Sequence, residues 1–195
     1  MIGLVDYGAG NMRSVANALD HLGLPFEVCE TPADLGRALR IVLPGVGHFG
    51  TAARRLSEVG MLEALRAQVE AGKPLLGICL GLQLLFAGSD EAPGEPGLGL
   101  LPGRTVRLEA RRVPHMGWSR VVLERPFPLA EEGYYYFAHG YVARVDSPEH
   151  LVGTVTIDGR SVPAVVGRDG LWGVQFHPEK SGEAGLALLA GFARC

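Results

Sequence analysis

The sequence predicts an α/β protein with an open, mostly parallel, twisted sheet, helices on both faces, and a smaller antiparallel portion. Three observations predict this class: short apolar runs alternate with helical patterns in residues 1–86, a strand–Cys–helix turn ends that region, and short strand-like runs between Gly and Pro follow it. Strand-then-helix alternation is typical of parallel strands joined by crossover helices. We expect a single domain over residues 1–195, since a chain of this length can bury about 70% of its unfolded surface.

The first half of the chain contains four predicted strand-then-helix units. Apolar residues at helical spacing predict the helices, one of which follows a glycine-rich turn from Tyr7 to Gly10 and ends at Gly23, a typical C-terminal cap. The predicted strands are residues 2–5, 25–29, 39–43 and 75–78, and the predicted helical segments are residues 12–22, roughly 49–71, and a stretch that starts after Cys79.

The second half has a different character. Residues 87–102 are rich in Gly and Pro and predict a loop, and residues 183–193 predict a closing helix with Ser181 as its N-cap. The Asp158-Gly159 pair predicts a hairpin turn. Strands are predicted at residues 105–109, 120–123, 134–145, 152–157 and 162–166, with a last buried strand at residues 171–176.

Cys79 stands between a predicted strand and a predicted helix, with Gly77 and Gly81 two positions away on either side. This pattern is that of a nucleophile elbow with Cys in place of Ser. The turn is sharp, and side chains at the flanking positions would collide with the backbone beside them. The bend would present the sulfur at the carboxyl end of the strand. The alternative is that Cys79 is a small buried hydrophobe, as most free cysteines are.

His177 and Glu179 follow the last predicted strand, in the run Phe176-His-Pro-Glu179. Open α/β sheets place their sites at the carboxyl ends of strands. A cysteine nucleophile needs a base that takes its proton, and a third group helps by fixing the tautomer of that base. We therefore predict that Cys79, His177 and Glu179 form a catalytic triad, although a lone histidine at a strand end is more often structural.

A glycine loop, Pro44-Gly45-Val46-Gly47, follows the third predicted strand. Acyl-transfer chemistry needs backbone N–H donors for the oxyanion that develops. One donor can come from Leu80, the residue after the nucleophile, and another from this loop, whose backbone can approach a ligand closely. An ordinary tight strand-to-helix connection is the alternative for the loop.

Composition excludes several function classes. A formal net charge of -3 gives no electrostatic reason to expect a nucleic acid or an anionic membrane as partner. The apolar runs are too short to span a bilayer, and the N-terminus lacks the pattern of a signal peptide. The three cysteines, Cys29, Cys79 and Cys195, are odd in number and widely spaced, so we expect no disulfide framework and a cytoplasmic location. No Cys or His pair has the spacing of a zinc site, so we expect no metal.

The paired motifs Gly-Ile-Cys79-Leu-Gly-Leu-Gln83 and Phe176-His177-Pro-Glu179 resemble those of class I (triad) glutamine amidotransferases, whose fold is flavodoxin-like. Within that family, the chain is similar to the glutaminase subunits of imidazole glycerol phosphate synthases. The stretches that carry this similarity are Asp6-Tyr-Gly-x-Gly-Asn11, Pro44-Gly-Val-Gly-x-Phe49, Pro114-His-Met-Gly-Trp118, Phe137-Ala-His139-Gly-Tyr141 and Lys180.

The resemblance implies that the chain hydrolyses glutamine through a cysteine thioester, needs no cofactor, and delivers ammonia to a (β/α)₈ cyclase subunit in histidine biosynthesis. It implies that the oxyanion hole is gated by that partner. The positions it implies for the glutamine pocket are Gly45, Val46, Gly47, Leu80, Gln83, His139, Gly140 and Tyr141, and for the partner interface Asn11, Met116, Trp118 and Lys180. Met116 and Trp118 have the alternative of being core residues.

Other functions stay open at this point. A glutaminase of pyridoxal phosphate synthesis is disfavoured because its glycine loop resembles Gly-Gly-Glu-Ser, and an anthranilate synthase subunit is disfavoured by the 114–118 stretch. A cysteine hydrolase or peptidase on a related fold would use the same chemistry without selecting glutamine. A non-catalytic interaction module would not need the intact triad. Gly140, where the family often has Ser, and Ser119, where Asn is common, depart from the family pattern.

Overall fold

The computed structural model describes residues 1–8 and 10–195; Ala9, in the predicted glycine-rich turn, lies outside the described residues. Six α-helices occur in the described ranges: α1 (Met12–His21), α2 (Pro32–Arg37), α3 (Phe49–Glu58), α4 (Met61–Glu70), α5 (Leu80–Leu84) and α6 (Gly182–Phe192). The strands of the same ranges are β1 (Ile2–Val5), β2 (Phe26–Cys29), β3 (Arg40–Leu43), β4 (Leu75–Ile78), β5 (Gly103–Arg107), β6 (His115–Leu123), β7 (Gly133–His139), β8 (Tyr141–Val145), β9 (Leu151–Ile157), β10 (Arg160–Arg168) and β11 (Leu171–Val174).

A mixed sheet of nine strands, in the order β2-β1-β3-β4-β11-β10-β9-β6-β7, organises the part of the chain that the structure describes. Strands β2, β1, β3, β4 and β11 run parallel to one another, and the strands from β10 to β7 continue the same sheet in antiparallel fashion. Strands β5 and β8 form a separate antiparallel pair. The α/β class with an antiparallel portion is therefore confirmed.

Hydrophobic cores lie on both faces of this sheet. Helices α1 and α6 cover one face through residues such as Val15 and Phe192, and helices α2 to α5 cover the other through residues such as Leu56. Strand β4 contributes to both cores. Leu75 lies in the core covered by α2 to α5 and Leu76 in the core covered by α1 and α6, because successive side chains of a strand point to opposite faces. All four β4 residues are buried, which explains why it reads as a continuous apolar run.

The structure differs from the sequence prediction mainly in the extent of elements. Helix α2 was not predicted: it is only six residues long, and its capping box pairs Thr31 with Asp34. Strand β6 is longer than the predicted residues 120–123, so the 114–118 stretch lies largely on a strand. The predicted strand 134–145 is divided at Gly140 into β7 and β8, which belong to different sheets. Within the described residues, no helix is long and apolar enough to cross a membrane.

Candidate active site

Cys79 lies in a strained turn between β4 and α5, with φ 54° and ψ -104°. A Cβ on Gly81 would collide with the carbonyl oxygen of Leu43, and a Cβ on Gly77 would come within 2.6 Å of the Gly81 carbonyl oxygen. Both positions therefore require glycine, because the chain has no room for a side chain where strand turns into helix. The sulfur lines a pocket at the carboxyl end of the parallel strands.

Strand β11 brings His177 and Glu179 to the same edge of the sheet. It pairs in parallel with β4, and the Cys79 N–H donates to the Val174 carbonyl at 2.8 Å, so the two strand ends coincide. His177 Nδ1 lies 2.9 Å from Glu179 Oε1, and the ring is close enough to Cys79 for that side chain to raise its pKa. The structure thus brings together the three residues predicted as a triad, although Cys79 is far from His177 and Glu179 in sequence.

The environment of His177 favours its protonated form. Burial alone would lower the pKa of this histidine, but hydrogen bonds to Cys79 and Glu179, together with their negative charge, raise it to about 9. An imidazolium beside the sulfur stabilises a thiolate and can later give a proton to a leaving group. Glu179 fixes the orientation of the ring, since its oxygen accepts from Nδ1–H.

Asn11 lies inside the protein beside the triad. Its side chain is only 4% exposed, and Nδ2 donates to Glu179 Oε1 at 2.6 Å. This placement differs from the partner contact that the resemblance implies for Asn11. The amide is used internally, so the interface proposed below does not include its side chain.

The predicted oxyanion donor at Leu80 already has a partner. The Leu80 N–H donates to the carbonyl oxygen of Gly45 at 3.3 Å, so the glycine loop occupies the position where an oxyanion would bind. The Tyr7 hydroxyl donates to the Pro44 carbonyl at 2.9 Å from a buried position and packs closely on Gly45. Burial and the nearby negative charge of Cys79 raise the pKa of Tyr7 well above its ordinary value, so this hydroxyl keeps its proton.

A pocket of about 140 Å³ opens over the sulfur. Its lining includes most of the positions implied for glutamine binding, with Pro114 and Ala138 as further members; the lining residues are Val46, Gly47, Cys79, Leu80, Gln83, Glu91, Pro114, Ala138, His139, Gly140 and Tyr141. Gly45, a member of the glycine loop, is buried and is not among the lining residues. The lining combines apolar residues with a few polar ones, as is typical of small-molecule sites.

His139, which lines this pocket, has a buried ring nitrogen without a partner among the described residues. Its Nδ1 lies 3.0 Å from the Tyr141 carbonyl oxygen, which can only accept, so Nδ1 carries the hydrogen. Burial lowers the pKa of His139 to about 4, so the ring is neutral near pH 7. Nε2 is buried and has no hydrogen-bond partner among the described residues.

Several site residues were missed by sequence reasoning. Gln175 is fully buried, with Nε2 3.7 Å from the Cys79 sulfur, and Glu91 lines the pocket while it accepts from the Phe49 N–H at 2.7 Å. Tyr7 contacts the glycine loop. Gln175 carried a signal, because a polar residue inside a buried apolar strand needs a partner. Tyr7 and Glu91 carried none, since their contacts depend on the folded arrangement of distant segments.

The outer face of β6 and β7 exposes apolar side chains. Met116 is 63% and Trp118 55% exposed, which excludes the core positions considered for them, and Trp118 packs edge-on against Tyr136. Lys180 is also exposed, next to the triad. This face is linked to the site, because the His177 N–H donates to the Tyr136 carbonyl at 2.8 Å.

Comparison with known proteins places this site in a family. The family model described as Glutamine amidotransferase class-I matches residues 3–194. A solved structure described as a glutamine amidotransferase has a TM-score of 0.80 at 22% identity, covering 100% of this chain and 99% of its own. PurLQS from Thermotoga maritima has a TM-score of 0.76 at 20% identity, covering 99% and 97%. The chain belongs to the class-I glutamine amidotransferase family.

Two relatives of higher sequence identity carry the same name. A protein of Desulfitobacterium hafniense named imidazole glycerol phosphate synthase subunit HisH is 49% identical over 100% of this chain and 94% of its own length. A protein of the same name from Geobacillus thermodenitrificans is 47% identical over 97% of this chain and 93% of its own length.

Proposed function

We propose that this chain is the glutaminase subunit of an imidazole glycerol phosphate synthase. It hydrolyses glutamine to glutamate and ammonia and delivers the ammonia to a (β/α)₈ cyclase subunit, which forms imidazole glycerol phosphate and aminoimidazole carboxamide ribonucleotide in histidine biosynthesis. The observation that carries the glutaminase part is the contact of Glu179 with His177 and of His177 with Cys79 at the pocket. Full-length similarity to subunits of that name supports the particular synthase.

The proposed reaction has two halves. The Cys79 thiolate attacks the side-chain amide carbon of glutamine, and the C–N bond breaks as His177 protonates the departing ammonia. This leaves a glutamyl thioester on the sulfur. His177, now neutral, takes a proton from water, the hydroxide adds to the thioester carbon, and the C–S bond breaks to give glutamate and the regenerated thiolate–imidazolium pair. Each half passes through an oxyanion that needs backbone donors.

The oxyanion donors are proposed to be gated by the partner. In the free chain the Leu80 N–H is bonded to the Gly45 carbonyl, and the loop is held by the Tyr7 hydroxyl on Pro44. Hydrolysis requires that this carbonyl move away, so that Leu80 and a loop N–H face the substrate oxygen. We therefore expect low glutaminase activity in the isolated chain.

The exposed face of β6 and β7 is the proposed docking surface for the cyclase. Met116 and Trp118 supply exposed apolar area, and Lys180 adds an exposed cation three residues after His177, whose N–H bonds to β7. Aromatic anchors of this kind supply much of the binding free energy at protein interfaces. The whole chain is proposed to act as one domain in a cytoplasmic heterodimer, because the same sheet carries the docking strands and the strands that end at the site.

The test is a glutamine hydrolysis assay on the chain alone, with the cyclase subunit, and with that subunit and its nucleotide substrate. We expect activity to be low alone and to rise strongly in the full mixture. Cys79→Ala should abolish glutamine-dependent synthesis while added ammonia still supports the cyclase. Loss of ammonia-dependent turnover as well would contradict this division of labour. If only a different synthase stimulated glutamine hydrolysis, the chain would be the glutaminase subunit of that synthase. Hydrolysis of peptides instead of glutamine would make it a peptidase.

A further inference from the structure

Gln175 lies between the Cys79 sulfur and the side chain of Gln83, a residue that lines the pocket. Its Nε2 is 3.7 Å from the sulfur, and its Oε1 is 3.3 Å from Gln83 Nε2. The side chain is fully buried, at the carboxyl end of an apolar strand. Burial of an amide costs free energy unless its polar atoms are bonded, so both of its contacts matter to the fold.

A backbone carbonyl determines the orientation of both amides. The Tyr141 carbonyl oxygen lies 3.0 Å from the Gln83 side chain and can only accept, so the group of Gln83 that faces it is the NH₂. The same NH₂ faces Gln175, which must then present its oxygen. The Gln175 NH₂ is left facing the sulfur. Turning the Gln175 amide over would place two donors against each other and an oxygen against the thiolate.

We propose that Gln175 is a further catalytic residue, which donates an N–H hydrogen bond to the Cys79 sulfur and is held in that orientation by Gln83. The proposal deepens the proposed glutaminase function, but the contact to the sulfur does not require glutamine. Donation to an anionic acceptor is stronger than donation to a neutral one, so this N–H favours the thiolate over the thiol.

The donor has a defined part in each half of the reaction. Before attack, it adds to His177 in stabilising negative charge on the sulfur. When the C–S bond forms, the sulfur loses its charge and the hydrogen bond weakens. When water adds and the C–S bond breaks, the electron pair returns to sulfur, and the same N–H stabilises the departing thiolate.

Other groups also face the sulfur, and a test must hold them constant. His177, after the end of β11, and the buried Tyr7 both lie near enough for Cys79 to raise their pKa values. Glu91 lines the same pocket from the loop after α5. None of these residues is altered by substitutions at Gln175.

The experiment measures the alkylation of each cysteine by iodoacetamide, using peptide mass spectrometry over about pH 5 to pH 10. Gln175→Glu keeps the oxygen that accepts from Gln83 and removes the donor, and Gln175→Met removes both at similar volume. Gln68→Met, on the partly exposed surface of α4, is the matched control. Exposed Cys195 is an internal reference in every sample, because its reactivity should not change.

We expect the pH midpoint of Cys79 alkylation to move upward by about one unit in both Gln175 variants, and not in the control. In the complex with the cyclase, kcat for glutamine hydrolysis should fall about tenfold or more with little change in KM. An unchanged midpoint in a Gln175 variant that melts like wild type overturns the proposal. If wild-type chain hydrolyses no glutamine in any mixture, the proposed function fails, while the alkylation result still decides the role of Gln175.

Discussion

The side-chain amide of Asn11 donates a 2.6 Å hydrogen bond to Glu179 Oε1, the same oxygen that lies 2.9 Å from His177 Nδ1. One carboxylate oxygen therefore accepts from a residue at the start of α1 and from the imidazole at the end of β11. Because the amide is buried, this bond helps to hold the carboxylate in the position that orients the histidine.

We expect Asn11→Asp to lower kcat for glutamine hydrolysis in the cyclase complex at least tenfold, because it replaces a donor by an acceptor facing Glu179. KM and the affinity for the cyclase should change little. Steady-state kinetics and a binding titration check this. Asn17→Asp, exposed on the same helix, is the matched control. A loss of cyclase affinity with normal kcat would instead make Asn11 a partner contact.

The pKa of about 9 for His177 predicts an alkaline limit to activity. Above it the ring loses the proton that the departing ammonia needs, so kcat should fall. Glu179→Gln removes a negative charge and should move this limb to lower pH, whereas Glu183→Gln, exposed on α6, should not. The pH profile of kcat in the cyclase complex measures the position of this alkaline limb. A limb that does not move in Glu179→Gln would contradict its assignment to His177.

The same shift predicts how stability depends on pH. The folded-state pKa of His177 is raised above its ordinary 6.5, so the folded protein binds the proton more tightly than the unfolded chain. Its stabilising contribution is complete below pH 6.5 and is lost as pH rises through about 9. Urea unfolding should therefore show that the stability advantage of wild type over His177→Asn shrinks across this interval; a constant difference would contradict it.

Tyr7→Phe should raise glutamine hydrolysis by the isolated chain about fivefold. The change removes the hydroxyl that holds Pro44, and a net hydrogen bond of about 1 kcal/mol corresponds to that factor. Tyr135→Phe is the matched control, because it removes a tyrosine–carbonyl bond of the same 2.9 Å length, to Glu131. Equal activities in the two variants would show that the Tyr7 hydroxyl does not restrain the loop.

Trp118→Ala should weaken binding of the cyclase about thirtyfold, equivalent to about 2 kcal/mol for an aromatic anchor. Thermal stability should change little, because the side chain is 55% exposed. Val59→Ala, 49% exposed at the end of α3, is the control. Isothermal titration of each variant with the cyclase measures the effect, and wild-type affinity in Trp118→Ala would place the interface elsewhere.

Local patterns made most of the fold predictable. The Gly77–Cys79–Gly81 spacing carries its own steric reason, and strand β1 was predicted with the bounds that the structure has. Helix α2 was missed because six residues give little periodicity, although Thr31 and Asp34 offered a capping-box signal.

The supporting contacts of the site were harder to predict. Asn11 and Glu179 are 168 positions apart, and Gln175 and Cys79 are 96 apart. Such pairs meet only because parallel pairing and helix packing bring their elements to one edge. The hydrogen bond from the Leu80 N–H to the Gly45 carbonyl depends on the conformation of the glycine loop, which residue types alone do not specify.

The hydrogen bond from the His177 N–H to the Tyr136 carbonyl constrains how this protein can be re-engineered. Grafting β6 and β7 from a relative to change partner choice would also replace the strand that supports the imidazole. If β6 and β7 form the docking surface as proposed, a graft must keep the backbone position of residue 136 to preserve this support of the imidazole.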